Sequence, residues 1–137
     1  MLRFKSGSRP ITIDGAILLL RLWLGAMMIY HGFPKVFTNN AGFIEYLTKF
    51  GFPAPSVMAA LAGGAEFFGG ILIVIGFLTR PALMLVLITM LVAGFVAHGA
   101  EPFTKQELPL TYAMLSLVLF LSGAGAFSIE RTIAGKS

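Results

Sequence analysis

The stretch that decides the fold covers residues 11–33 and reads ITIDGAILLLRLWLGAMMIYHGF. A helix of this length, rising about 1.5 Å per residue, crosses the roughly 30 Å hydrocarbon core of a bilayer. The short basic arm before it is typical of a signal peptide, but no small-residue cleavage site follows the apolar block. The sequence therefore predicts an uncleaved first transmembrane helix.

Three further apolar blocks follow, over residues 55–78, 81–97 and 110–126. Hydrophobic residues make up 57% of the 137-residue chain and charged residues only 12%, with a mean hydropathy of +0.88. Soluble domains are nearer a quarter charged, and about twenty consecutive apolar residues indicate a transmembrane helix. The sequence predicts one all-α domain over residues 1–137, an integral membrane four-helix bundle with four transmembrane helices.

The segment between the first two blocks has a helical spacing of its own. Phe43, Leu47 and Phe50 recur every three or four residues, while Gly51 can end a helix and Pro53 prevents its continuation. We expect a short interfacial helix between transmembrane helices 1 and 2.

Positive charge is distributed unevenly between the two ends of the predicted bundle. With four spans both termini share one side, which carries twice as many Lys and Arg residues as the other. The first side has Arg3, Lys5, Arg9, Arg80, Arg131 and Lys136, and the second has Lys35, Lys49 and Lys105. Because cytoplasmic loops carry the excess of cations, both termini are predicted to be cytoplasmic. The net charge of +4 forms no basic stripe, so no nucleic-acid partner is expected.

The chain has no cysteine. This excludes disulfides, thiol redox chemistry, iron–sulfur ligation and Cys-based zinc sites. The sequence also has no Gly-rich phosphate loop, no nucleophile elbow and no His-Glu-x-x-His motif, so we predict no catalytic residue and no enzyme activity for the chain alone. Any redox centre must then be a bound cofactor or belong to a partner protein.

Two charged residues stand inside the predicted spans. Arg21 is central in the first span, and Glu66 lies in the second, within AGGAEFFGG. A charge at the bilayer centre costs about 2.5–3.5 kcal/mol on insertion scales, so each residue needs a partner, a watery cavity or a lipid headgroup. Their depths agree within about 5 Å, and the surrounding small residues let helices approach closely. We expect an Arg21–Glu66 pair, which either contributes to a ligand site or is an architectural ion pair that only fixes helix register.

A second polar cluster is predicted at the end of the bundle opposite the termini. His31 and Lys35 end the first span, while His98, Glu101 and Glu107 lie in or beside the loop before the fourth. His98 and Glu101 stand three residues apart, but two histidines without cysteine are a weak metal signature, so no metal site is expected. The alternative for both histidines is an interfacial position facing headgroups and water.

An ordered set of motifs resembles that of the DoxX family of small bacterial four-helix membrane proteins. The motifs are Arg21-Leu-Trp-Leu-Gly25, His31-Gly-Phe-Pro-Lys35, Ala65-Glu66-Phe-Phe-Gly69-Gly70, Gly76-Phe-Leu-Thr-Arg80, Gln106-Glu107-Leu-Pro-Leu and Gly123-Ala-Gly-Ala-Phe-Ser128-Ile. The likeness runs from about residue 13 to residue 130, with Ile129-Glu130 where many relatives have Leu-Asp. It implies a bundle in the bacterial inner (plasma) membrane, with Arg21, Glu66 and Glu107 as recurrent polar positions and Lys35 as a weaker fourth.

The resemblance also bears on function. The family takes its name from a membrane subunit of an archaeal thiosulfate:quinone oxidoreductase, and relatives are described in a mycobacterial membrane-associated oxidoreductase complex. It therefore implies a membrane subunit of an oxidoreductase system, docking a redox partner protein and offering a quinone slot. In that interpretation Arg21 stabilises the ligand and Glu66 or Glu107 relays a proton.

The candidate ligand-binding residues are Arg21, Glu66, Glu107, Lys35, His31 and His98. Two other functions stay open. One is a structural or assembly membrane protein whose ion pair is architectural. The other is a small-solute or lipid-binding transport module, although four spans are few for a transporter unless it forms a homo-oligomer.

Overall fold

The computed structural model describes residues 9–135, so Arg3, Lys5 and Lys136 lie outside the described residues. Within that range the chain forms α-helices, two π-helical turns and connecting loops, and it has no strand. The helices are α1 (Ile11–Phe33), α2 (Asn40–Lys49), α3 (Pro55–Ile75), α4 (Thr79–Val92), α5 (Phe103–Ser122) and α6 (Ile129–Ala134). The all-α prediction is confirmed for this part of the chain.

Among the described residues, three segments are long and apolar enough to cross a membrane, namely Ile11–Thr38, Pro55–Ile75 and Thr79–Ala97. The first consists of α1 and the π turn Pro34–Thr38, and the third consists of α4 and the π turn Ala93–Ala97. The bounds predicted for the first helix are those of α1. α2 forms where a short helix was expected, between the first two apolar segments.

The helix in the place of the fourth predicted span is displaced along the chain. The prediction covered residues 110–126, whereas α5 begins at Phe103 and ends at Ser122, where Gly123 adopts a φ of 79°. The polar residues 104–107 are therefore helical rather than part of a loop, and Pro109 lies inside the helix. These polar turns make α5 less apolar than the other long helices.

α1 and α3 lie antiparallel and in close contact, because glycines remove side chains where the helices meet. A Cβ added to Gly25 would approach the Gly70 carbonyl oxygen to 2.7 Å, and one added to Gly32 would approach the Phe67 backbone nitrogen to 2.5 Å. Small residues at such contacts let backbones come close together. This packing fixes which residues of the two helices share a level.

α4 packs against both α3 and α5, which completes the bundle around an apolar core. The buried side chains of that core include Leu24, Met28, Ile73, Leu83, Val86 and Leu119. We call the end where α1 begins and α6 lies the terminal end. The opposite end, where α1 finishes, α3 begins and α5 begins, is the distal end.

Candidate functional site

Arg21 does not pair with Glu66, so the predicted ion pair is wrong. The Arg21 guanidinium is buried, with 1% of the residue exposed, and it donates to backbone carbonyls at the terminal end. The hydrogen bonds run from Nε to Ile73 (3.0 Å), from Nη1 to Ala124 (2.8 Å) and Phe127 (2.7 Å), and from Nη2 to Val74 (2.8 Å).

The register of α1 against α3 explains the error. The depth estimate assumed that the two helices start from the same level at the terminal end. Arg21 lies ten residues after the start of α1 but bonds to Val74, one residue before α3 ends at Ile75, so α1 extends beyond α3 there. Because Gly25 faces Gly70 in this antiparallel pair, Arg21 lies at the level of Val74. That level is about two turns, or about 12 Å, from Glu66.

Arg21 instead completes the C-terminal end of α3. The last four carbonyls of a helix have no intrahelical partner, and Arg21 binds those of Ile73 and Val74. A cation is also favoured at this end by the helix dipole. Gly76 makes the approach possible, since its φ is 71° and an added Cβ would lie 2.6 Å from Arg21 Nη2. Arg21 thus has a structural position that leaves it far from the distal end.

Two carboxylates attach the C-terminal segment to the same terminal end. Asp14 Oδ1 accepts a hydrogen bond from the Ala126 N–H at 3.0 Å, and Glu130 Oε1 accepts one from the Thr79 N–H at 2.6 Å. The Glu130 N–H donates in turn to the Gly76 carbonyl at 3.0 Å. Asp14 and Glu130 are therefore engaged in closing the bundle at the terminal end.

Glu66 pairs with Lys35 at the distal end. Lys35 Nζ lies 2.6 Å from Glu66 Oε1 and 2.8 Å from Oε2. Glu66 is 1% exposed, whereas the Lys35 side chain is 29% exposed and lies 5.0 Å from the centroid of the Phe43 ring. The pair therefore joins a buried carboxylate in α3 to an ammonium group that is partly open to the surroundings.

This ion pair borders a cavity of about 220 Å³, which we call the distal pocket. Its polar lining comes from His31, Lys35, Glu66, His98, Lys105 and Tyr112, and its apolar lining from Met28, Met90, Ala93, Leu108 and Pro109. The lining residues come from α1, α3, α4 and α5, from both π turns, and from the position directly after the second turn. Titratable groups that are distant in sequence thus converge on one space.

The distal pocket brings together four of the six predicted site residues, namely His31, Lys35, Glu66 and His98. Arg21 lies at the other end of the bundle, and Glu107 is exposed and outside the lining. On α5 the lining residues follow spacings of three and four from Lys105 to Tyr112, which leaves position 107 on another face of the helix.

Both π turns lie beside the distal pocket. Lys35 is the second residue of the first turn, where the Asn39 N–H donates to the Pro34 carbonyl at 2.7 Å. In the second turn the His98 N–H donates to the Ala93 carbonyl at 3.0 Å, which places His98 directly after the turn. Such π-helical insertions change the direction in which the following side chains point, and they often occur at functional sites.

The two histidines of the distal pocket have different partners. His98 Nδ1 lies 3.2 Å from Glu101 Oε1. The His31 ring makes edge contacts with the rings of Tyr30 and Tyr112, at centroid separations of 5.4 Å and 5.8 Å. The sequence pattern did not single out Tyr112 or Met90, because a tyrosine or methionine at helical spacing is an ordinary core residue.

Lys35 also lines a second, more open groove of about 370 Å³. The remaining lining consists of Pro34, Asn39, Gly42, Phe43 and Tyr46. Burial raises the pKa of the Tyr46 phenol above its ordinary value, and the nearby Glu101 carboxylate raises it further. α2 therefore lies close to the loop that carries His98 and Glu101.

The distal pocket combines apolar walls with a few hydrogen-bond donors, the composition common to small-molecule sites. Met28, Met90 and Pro109 supply apolar walls, while Lys35 and a histidine supply donors. Among residues 9–135, no three His, Asp or Glu side chains are grouped closely enough to hold a metal ion.

The sequence profile of one protein family, described as DoxX, matches residues 16–99 of this chain. The chain is 29% identical to "Inner membrane protein YphA" of Escherichia coli, covering 90% of this chain and 91% of that protein. It is 32% identical to "Inner membrane protein YqjF" of the same organism, covering 90% and 95%.

A further relative carries a functional name. The chain is 29% identical to "Putative oxidoreductase CatD" of Bacillus subtilis, over 82% of this chain and 83% of that protein. No solved structure matches the chain.

Proposed function

This chain belongs to the DoxX family of membrane proteins, and on that premise we propose that it is a membrane subunit of an oxidoreductase system that binds a quinone in the distal pocket. The observation that carries the proposal is the Lys35–Glu66 ion pair, placed where an apolar cavity meets the distal surface. The name of the Bacillus subtilis relative supports the redox assignment.

The Lys35 ammonium group has more hydrogen-bond donors than its ion pair with Glu66 uses. An ammonium group has three N–H donors, and Lys35 directs its contacts to the two oxygens of one carboxylate. At least one donor is therefore available to a carbonyl oxygen in the distal pocket. Ionisable groups within a membrane domain are expensive to keep and are commonly part of a ligand or proton pathway.

The electron donor is proposed to be a partner protein, because the sequence has no cysteine to form a thiol or cluster-based redox centre. Mild extraction from native membranes followed by mass analysis of the copurified proteins tests this part. A stoichiometric oxidoreductase subunit supports it, and a preparation containing this chain alone contradicts it.

Replacement of Lys35 with Met is expected to weaken binding of a short-chain quinone. Loss of one hydrogen bond from a charged donor lowers affinity by about tenfold or more. The measurement is a titration of the purified protein in lipid nanodiscs with ubiquinone-1, followed by quenching of the fluorescence of the single tryptophan, Trp23, or by equilibrium dialysis.

Lys49→Met is the matched control for this titration. Lys49 lies on α2, also at the distal end, but its side chain is 72% exposed and its ion pair within residues 9–135 is with Glu45 on the same helix. The Lys49→Met variant is expected to bind ubiquinone-1 with the same affinity as the unchanged protein. Equal affinities of the two folded variants would contradict the proposed role of Lys35.

We further propose that α5 is a fourth transmembrane helix and that both termini are cytoplasmic. α5 has 20 residues and packs along α4, and its polar first turns lie at the distal end, where a bilayer meets water. Among residues 9–135, Arg9, Arg80 and Arg131 lie toward the terminal end. These cations, with those of the terminal arms, favour a cytoplasmic location.

The natural absence of cysteine makes this topology easy to test. A membrane-impermeant maleimide is expected to label Lys49→Cys in intact cells and to label Thr132→Cys only after lysis, since both positions are exposed at opposite ends. The reverse pattern would contradict the orientation, and labelling of both from outside would contradict an even number of spans.

A further inference from the structure

We propose that His98 is the residue that donates a hydrogen bond to the ligand in the distal pocket and couples its binding to one proton, with Glu101 as the positioning residue. The inference rests on the proposed function, because it takes a quinone as the ligand class. It goes beyond the proposed function in two ways. It includes Glu101, which does not line the distal pocket, and it assigns proton coupling to His98 rather than to His31.

The geometry around His98 orients its ring. Nδ1 faces Glu101 Oε1 at 3.2 Å, and the two side chains are only partly exposed, at 29% and 33%. Within residues 9–135, Nε2 has no hydrogen-bond partner. Since His98 also lines the distal pocket, Nε2 is the ring nitrogen that remains for a ligand.

The backbone that carries this pair is held on several sides. The His98 N–H donates into the second π turn, and the Glu101 N–H donates to the His98 carbonyl at 3.0 Å. Gln106 Nε2, from the first turn of α5, donates to the carbonyls of His98 (3.0 Å), Glu101 (3.2 Å) and Gly99 (3.4 Å). A single amide therefore connects the loop to α5 and limits how far the His98 ring can shift.

The chemistry of imidazole then determines the sign of the proton coupling. In the charged imidazolium form both ring nitrogens donate, so Nδ1–H serves Glu101 and Nε2–H is available to a quinone oxygen, which only accepts. In the neutral form with the proton on Nδ1, Nε2 cannot donate. Affinity for quinone is therefore highest at low pH and falls as the histidine loses its proton.

Other titratable groups face the same space and must be separated from His98. They are His31 from α1, Lys35 from the first π turn, Glu66 from α3, and Lys105 and Tyr112 from α5, with Tyr46 of α2 near Glu101. Among these residue types only histidine ordinarily changes charge between pH 5 and 8. His31 is thus the one competing origin of a proton-coupled affinity and serves as the matched control.

The experiment titrates the full chain in nanodiscs with ubiquinone-1 between pH 5.5 and 8. We expect the affinity of the unchanged protein to fall about tenfold across this range, the effect of losing one charge-assisted hydrogen bond. His98→Gln is expected to bind weakly with no pH dependence, and His31→Gln to keep the dependence. Glu101→Ala is expected to weaken binding at pH 5.5, because Nδ1–H loses its acceptor, and Glu101→Gln, whose amide oxygen still accepts, is expected to retain it.

Glu45→Gln removes an exposed carboxylate from the same end of the molecule and is expected to leave the pH profile unchanged. A profile that survives in His98→Gln, or that disappears in His31→Gln, overturns this inference while ubiquinone-1 binding itself upholds the proposed function. If His98→Gln does not fold, equal binding by Glu101→Ala and the unchanged protein at pH 5.5 overturns the inference equally. Failure of the unchanged protein to bind ubiquinone-1 at any pH overturns both.

Discussion

Replacing Arg21 with Met is expected to lower the free energy of unfolding by at least about 3 kcal/mol, since hydrogen bonds to charged groups each contribute about 1.5–3 kcal/mol. The substitution removes four such bonds and leaves the carbonyls of the terminal end without their donor. The measurement is denaturant unfolding in mixed micelles, with the amount of folded protein recovered from membranes as a second readout.

Arg80→Met is the matched control. Arg80 is also near the terminal end, but it is exposed, and within residues 9–135 its guanidinium makes one hydrogen bond to a carbonyl, from Nε to Phe120 at 3.1 Å. Because this bond is exposed, its loss is expected to cost about 1 kcal/mol or less, below the range for a buried charged donor. Arg21→Lys is expected to fall between the two, because an ammonium cannot reproduce the planar fork that reaches carbonyls of α3 and of residues 123–128 together.

Combining Arg21→Met with Glu66→Gln tests whether Arg21 pairs with Glu66 or binds only the carbonyls of the terminal end. If Arg21 and Glu66 were partners, the double variant Arg21→Met/Glu66→Gln would lose less stability than the two single variants together. Because they lie at different levels and share no partner, we expect their effects to add within about 0.5 kcal/mol. A coupling energy well above that value contradicts the separation of the structural residue from the pocket.

Gly32→Ala is expected to destabilise the bundle by about 1–3 kcal/mol or more, the usual range for overpacking a tight contact. The added Cβ would lie 2.5 Å from the Phe67 nitrogen and 2.9 Å from Glu66 Cβ. These are backbone or backbone-proximal atoms, so no flexible side chain can move aside. α1 and α3 must separate, and the Lys35–Glu66 pair is stretched. The measurements are the free energy of unfolding of Gly32→Ala and its affinity for ubiquinone-1.

Gly15→Ala provides the control on the same helix. A Cβ at Gly15 meets no atom within 4 Å. Alanine is about 1 kcal/mol more favourable than glycine inside a helix, so stability is expected to be unchanged or slightly raised. If Gly32→Ala behaves like Gly15→Ala, the close approach of α1 to α3 is not as described.

Much of the fold follows from the sequence for physical reasons that particular residues illustrate. α1 matches its predicted bounds because one long, predominantly apolar block lies between Pro10, which precedes the helix, and Pro34, where the α-helix changes to the first π turn. α5 does not, because amphipathic turns before Pro109 continue the helix beyond the apolar block, and hydropathy does not detect them.

The site was less accessible to sequence reasoning. Glu66 was expected to pair with Arg21, which is wrong, because the cation that lies nearest depends on helix register. Glycine contacts set that register, and a depth count from the ends of apolar blocks cannot supply it. Lys35 reaches Glu66 from a π turn, and Gln106 acts through three loop carbonyls. Neither arrangement has a spacing that a linear pattern reveals.

Photoaffinity labelling with an azido-substituted benzoquinone tests the central claim most directly, because it reports where the ligand lies. After irradiation in nanodiscs and digestion, mass spectrometry is expected to find adducts within residues 28–35 or 105–112, and excess ubiquinone-1 is expected to suppress them. Adducts confined to exposed apolar positions such as Trp23 and Leu121, unaffected by ubiquinone-1, would contradict a quinone site in the distal pocket.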